Sequence, residues 1–189
     1  ALVRTPRYFA HCFTHRTRTP LSVAHDTPAL FVGGVDTVSH LHVDQMRSNF
    51  WMYVGEGYKH WTCFHPDDTQ LLKPAWDDED QLHRFPSLQT LEKAEGGVTG
   101  ARRLDFTLGP GETLYIPRGT PHEVRNLTAT TAVSANFIDQ SNREEATAQA
   151  RAKAARCAAG SARAKNLMQI ANALDEIDWP DVEEDVAAA

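Results

Sequence analysis

From Arg7 to about Asn136 the chain is built of short apolar runs rich in Val, Phe, Trp, Tyr and Thr, each broken off by Gly, Pro or Asp. That punctuation marks strands, not helices. The runs predicted as strands are Ala29 to Val32, Val38 to Asp44, Asn49 to Val54, Lys59 to Phe64, Arg103 to Thr107, Thr113 to Ile116, His122 to Asn126 and Ala132 to Ile138. Many short strands at this spacing restrict the fold to a sandwich or barrel. The turn Gly55-Glu56-Gly57-Tyr58 carries two glycines that tolerate positive φ, and the strands flanking it are expected to pair as a hairpin. Pro66 to Gly100, with Pro, Asp and Glu throughout, reads as a long surface excursion of the kind that often borders a binding site.

After Asp139 the pattern changes, and the chain divides into a β core over 1–139 and a helical tail over 140–189. Ser141-Asn142-Arg143-Glu144 has capping-box spacing, and the Ala-rich run behind it predicts a helix up to Gly160. A second helix begins near Ser161, with Leu167, Ile170, Leu174 and Ile177 forming one apolar stripe. The stripe is expected to pack on the chain's own core, a homodimer through these helices being the alternative.

A chain of 189 residues can bury roughly 70% of its unfolded surface, enough for a core without disulfides. Its net charge of −6 gives no electrostatic case for a nucleic-acid partner; the one dense basic stretch lies between Arg143 and Lys165. No apolar run reaches the roughly 18 residues of a membrane span, and no secretory pattern opens the sequence, so the expectation is a soluble protein of the cytoplasm or nucleus. Cys12, Cys63 and Cys157 are odd in number and form no CxxC pair, which argues against a disulfide framework or a zinc module. The sequence begins with Ala, as a piece of a longer chain would.

Two segments carry chemistry. Alternation along a strand lets His40, His42 and Asp44 face one side. A histidine and a carboxylate two residues apart, completed by a distant histidine, make a facial triad with open coordination positions, the arrangement suited to non-haem Fe(II) oxygenases. The distant histidine stands in the run Gly111 to Asn126, which matches the second cupin motif G-x5-P-x-G-x2-H-x3-N at every fixed position. Physically, a strand ends at a Pro/Gly turn and the chain is re-aimed so that His122 opens the next strand facing the interior.

With both segments in place, Phe31 to Asp139 resembles the JmjC branch of the cupin superfamily. The resemblance implies a mainly β fold, a double-stranded β-helix (jelly-roll) core followed by C-terminal α-helices. It implies Fe(II) on His42, Asp44 and His122, with 2-oxoglutarate and O2 as cosubstrates. Lys59, fifteen residues after Asp44, falls where many relatives pair a lysine with the far carboxylate of 2-oxoglutarate, and Ser39 where they place a hydroxyl touching it. Ser134-Ala135-Asn136-Phe137 resembles the closing strand, which brings Ser134 and Asn136 to the cosubstrate. Met52 departs from the pattern, standing where relatives often have Asn or an aromatic residue; Asn49 is then a candidate for the other carboxylate. The implied activity is hydroxylation of a protein or peptide side chain, coupled to decarboxylation of 2-oxoglutarate to succinate. Lysine demethylation, or hydroxylation of RNA or a small molecule, are alternatives. A reading of another class is a non-oxidative metallocupin, an isomerase or ligand binder, holding metal on His40, His42 and His122. Gly34 and the five residues before His40 fit its first motif, although the glutamate expected afterwards is missing from Gln45-Met46-Arg47-Ser48.

Overall fold

A computed structural model of the chain describes Phe9, Cys12, Phe13 and residues 28–77, 82–94 and 96–177. Every predicted strand forms. Among the described residues the order is β1 (Ala29–Gly33), β2 (Val38–His42), β3 (Asn49–Glu56), β4 (Lys59–Phe64), β5 (Ala75–Asp77), β6 (Leu82–Arg84), α1 (Leu88–Lys93), β7 (Arg103–Leu108), β8 (Thr113–Ile116), β9 (His122–Asn126), β10 (Thr130–Phe137), α2 (Arg143–Arg156) and α3 (Ala162–Asp175). The chain is mainly β, a jelly-roll core with C-terminal helices. Two four-stranded sheets run in the orders β1-β10-β3-β8 and β2-β9-β4-β7, and β5 and β6 make a small separate ribbon.

The two sheets share one apolar interior. Phe50, Met52 and Val54 of β3, with Ile116 and Ala132, meet Trp61 and Cys63 of β4, Leu108 of β7 and Val124 of β9. The Trp61 and Phe106 rings stack with centroids 6.3 Å apart. The period-2 pattern of large apolar residues is what drives both sheets to face inward.

The predicted hairpin does not form. β3 and β4 lie in different sheets, so the Gly55–Tyr58 turn carries the chain across the interior. The reason is that both strands have their edges taken. β4 is flanked by β7 (Lys59 opposite Leu108) and β9 (Lys59 opposite Asn126), while β3 is flanked by β10 and β8 (Phe50 opposite Ile116). A local turn signal loses to these long-range ladders.

The excursion over 66–100 is partly folded. A 3-10 segment, Pro66–Leu72, and α1, whose N-terminus is capped by Ser87 Oγ accepting from Thr90 N, place Leu72, Leu88 and Leu91 against Leu41 and Phe64. Asp68 anchors this segment to the backbone N–H and side chain of Arg102, and those hydrogen bonds hold its carboxyl down at about 2.

Contacts group the chain into two compact units. One is Pro28–Gln45 with Asn49–Asn136; the other, among the described residues, gathers those around Phe13, Met46–Ser48 and the chain from Phe137 onward. In the second unit the capping box expected at Ser141 is absent. Asn142 is the N-cap of α2, and it makes no side-chain cap bond to the helix. Its side chain instead joins three backbone segments, accepting from Asp139 N and donating to Arg47 O and to Phe137 O at the end of β10. The Phe137 carbonyl is buried and gains a partner from Asn142, a use that fits a short amide side chain beside local backbone. The start of α3 does follow expectation: Ser161 Oγ accepts from Ala164 N.

On α3, Ile170 and Leu174 are buried with Phe13, Ile138 and Ala146, and Ile177 packs against the same cluster; Leu167 is half-buried. Alanines 146, 150 and 154 are buried on α2, and small side chains there let two helices approach closely. Leu174→Ala is expected to cost about 2–5 kcal/mol of unfolding free energy by leaving a cavity. Urea denaturation measures it, and a loss below roughly 0.5 kcal/mol, the size of a surface effect, would contradict this packing. None of the described helices is long and apolar enough to cross a membrane.

Candidate metal centre

Strict alternation along β2 would turn His40 and His42 to one face. The structure breaks that alternation with a β-bulge. Ser39 stands opposite Val124 and His42 opposite His122, so three residues of β2 span what two of β9 span. The extra residue puts Ser39 and His42 in register with the inward-facing Val124 and His122 and turns His40 outward. His40 is accordingly exposed, its Nδ1 3.9 Å from Glu123 Oε2 on the outer face. The expectation that His40 shares a face with His42 is therefore incorrect, because it presumed an unbulged strand.

His42, Asp44 and His122 offer donor atoms that all lie within 4.8 Å of one another, the one such group among the described residues. Asp44 lies in the connection after β2, not on the strand as predicted, just ahead of the left-handed residues Met46 and Arg47. His122 opens β9, and the turn before it depends on Gly119, whose φ of 77° suits glycine and few other residues. The two imidazole rings sit 4.2 Å apart, centre to centre.

The hydrogen bonds around these rings decide which atoms are available. His42 Nδ1 lies 2.6 Å from His40 O, and His122 Nδ1 lies 2.9 Å from Thr120 O. A carbonyl only accepts, so each ring donates from Nδ1, and in the neutral tautomer this leaves the Nε2 lone pair for a ligand. Backbone carbonyls in this role orient metal-binding histidines. Burial, and then the neighbouring His42, hold the His122 imidazole below its ordinary value and so keep it neutral, Asp44 acting in the opposite sense. Asp44 Oδ1 is 3.8 Å from His42 Nε2, and Asp44 Oδ2 is buried with no hydrogen-bond partner among the described residues. An orphaned buried carboxylate oxygen is costly, and beside two uncommitted imidazole nitrogens it is what a divalent cation would satisfy. The residues present thus fit a metal ion of the Fe(II) class.

The walls are apolar. Trp61 and Phe50 lie over His122 with ring centroids 5.6 and 6.3 Å away. Cys63, directly opposite His122, has its thiol pushed up to about 12 by burial and by Asp105, so it is not a competing thiolate.

Lys59 is buried on the same inward face. The ladder sets Lys59 opposite Asn126 and Cys63 opposite His122, four residues apart, which at strand rise is about 13 Å along β4. Lys59 Nζ donates to Asn126 Oδ1 at 2.7 Å, and among the described residues no carboxylate is paired with it. Burial lowers its pKa from the ordinary lysine value. The link to Asn126 was not foreseen, although Asn126 is the closing residue of the Gly111–Asn126 run. Between Lys59 and Cys63 on this face, Trp61 Nε1 is buried without a hydrogen-bond partner among the described residues.

The other expected site residues differ in burial. Ser134 is buried and Asn136 half-buried, in phase with inward-facing Ala132 of β10. Ser39 is exposed despite its inward register. Met52 is plain core. Asn49 is buried, and its Oδ1 accepts from Tyr115 Oη and Arg118 N, so it serves β3 and the following turn.

Comparison with known proteins adds an independent line. The cupin-like domain family matches residues 7–143. The lysine-specific demethylase JMJ21 of Arabidopsis thaliana is 28% identical over 127 residues, 60% of this chain and 12% of that protein. The bifunctional arginine demethylase and lysyl-hydroxylase psr-1 of Caenorhabditis briggsae is 24% identical over 149 residues, 74% of this chain and 36% of that one. The human 2-oxoglutarate and iron-dependent oxygenase JMJD4 is 25% identical over 137 residues, covering 72% and 33%. The matched region is thus between about an eighth and a third of these relatives' length.

Proposed function

Because this chain belongs to the cupin-like domain family and its relatives carry JmjC names, we propose that it is the oxygenase domain of an Fe(II)- and 2-oxoglutarate-dependent hydroxylase acting on a protein or peptide side chain. The observation that carries the reading is the triad itself: the two Nε2 atoms and Asp44 Oδ2, which has no hydrogen-bond partner among the described residues, converge beside the buried His122, with His42 and Asp44 partly exposed. In this reading His42, Asp44 and His122 hold the metal, while Lys59, Ser39, Ser134 and Asn136 attend the cosubstrate.

Iron held there supplies the activation of O2 that couples decarboxylation of 2-oxoglutarate, giving succinate and CO2, to insertion of one oxygen atom into a substrate C–H bond. The chain's own residues bind, orient and shield. Thr120 O and His40 O fix the two imidazoles so that neither swings away from the metal. Lys59 supplies a buried positive charge for the far carboxylate of the dicarboxylate cosubstrate. A buried ammonium left with a neutral amide as its partner is expensive, and an arriving carboxylate relieves that cost. Trp61 Nε1, without a partner among the described residues, is a second donor on β4 between Lys59 and the residue facing His122. Trp61 and Phe50 exclude water from the His122 side, which protects reactive species from side reactions.

The outward turn of His40 speaks against the non-oxidative metallocupin reading, since it removes the third histidine that reading requires. Demethylation stays open as a second reading, because relatives carry demethylase names and hydroxylation of an N-methyl carbon releases formaldehyde. Mass spectrometry of lysate proteins incubated with the protein, Fe(II) and 2-oxoglutarate separates the two. Peptides that gain one oxygen atom are the expected result; peptides that lose a methyl group, with formaldehyde in solution, would replace hydroxylation by demethylation.

A further inference from the structure

Lys59 does not reach its position unaided. Its ammonium is held by Asn126, and Asn126 is held from every side. Asn126 Nδ2 donates to Gly34 O at 3.1 Å, its backbone N donates to Thr37 O at 2.9 Å, and its backbone O accepts from Asp36 N at 2.8 Å. This network leaves the amide only one orientation, with Nδ2 on a carbonyl and Oδ1 on the ammonium; the reverse would set acceptor against acceptor and donor against donor. Room for the amide exists because residue 33 is glycine. A Cβ there would lie 2.5 Å from Asn126 Nδ2, far inside contact distance.

The choice of asparagine has a chemical consequence. An ammonium has three protons to donate, and Asn126 Oδ1 takes one. A carboxylate at 126 would pair with Lys59 and cancel its charge, whereas an amide aims the ammonium and leaves the charge free for an incoming anion. We infer that Asn126 is the positioning residue that points the Lys59 ammonium at the far carboxylate of the cosubstrate, and so makes the site select a dicarboxylate over a monocarboxylate 2-oxo acid. This rests on the cosubstrate reading given above.

The test is calorimetric titration of the Mn(II)-loaded protein, which does not turn over, with 2-oxoglutarate and with 2-oxobutyrate, its analogue lacking the far carboxylate. Wild type should prefer 2-oxoglutarate. Asn126→Asp, nearly isosteric, should lower 2-oxoglutarate affinity by roughly 10- to 100-fold while leaving 2-oxobutyrate and Mn(II) binding unchanged. Asn126→Ser, which stays neutral but shortens the arm, should lose part of the same preference and covers the case in which the aspartate variant does not fold. Equal weakening of both acids and of Mn(II) would mean a merely structural role and overturn the inference. Retention of the wild-type preference in either folded variant would overturn it too, with the cosubstrate reading intact. A wild type that binds Mn(II) but neither acid would overturn that reading itself and the inference with it.

Discussion

His122→Ala is expected to abolish tight binding of Fe(II), or of Mn(II) or Ni(II) in its place, and with it all turnover of 2-oxoglutarate. His122 is buried and neutral, its Nδ1 tied to Thr120 O, so its Nε2 is already aimed and pays little to bind. Removing one of three protein ligands should cost more than the roughly 10- to 100-fold lost when only a supporting hydrogen bond is removed. Asp44→Ala should behave alike. His40→Ala is the internal control: it carries an imidazole two residues from His42 but faces outward, so metal affinity should stay at the wild-type level. Calorimetry or inhibition-free metal competition measures all three. Undiminished affinity in His122→Ala, or a loss in His40→Ala comparable to that in Asp44→Ala, would remove the assigned triad.

Lys59→Ala is expected to raise the requirement for 2-oxoglutarate by roughly 10- to 100-fold, from the loss of a charge-assisted contact worth about 1.5–3 kcal/mol. Metal affinity should not change, since Lys59 lies about 13 Å of strand away from the residue facing His122. The size of the effect follows from burial: a solvated lysine would contribute far less, but Lys59 is 6% exposed and has a neutral partner. The KM for 2-oxoglutarate, set beside the dissociation constant for Mn(II), separates the two functions. An unchanged KM would move the carboxylate partner elsewhere, with Arg47, Arg118 and Arg125 next to examine.

The parts legible in the sequence are those written locally. Each strand is a short period-2 run closed by Gly, Pro or Asp, and the run Gly111 to Asn126 contains both the turn and the histidine it aims. What escaped depends on partners distant along the chain. The Gly55–Tyr58 turn looks like a hairpin, but β3 and β4 each have both edges filled by other strands. The β2 bulge leaves no local signature; it exists because Ser39 and His42 must match Val124 and His122 across the ladder. The Ser141 capping box lost to Asn142, whose amide is needed by Arg47 and Phe137 carbonyls. Asn126 was visible as a motif position, yet its purpose required knowing that Lys59 lies opposite it.

Production of succinate from 2-oxoglutarate by the purified chain, followed with and without Fe(II) and in air or under argon, bears most directly on the assignment of an Fe(II)- and 2-oxoglutarate-dependent oxygenase. Succinate is expected only when Fe(II) and O2 are both present, at a slow rate without substrate, and not at all from Asp44→Ala under the same conditions. Succinate at the same rate from Asp44→Ala, or none from a wild type shown to bind both Fe(II) and 2-oxoglutarate, would contradict that assignment.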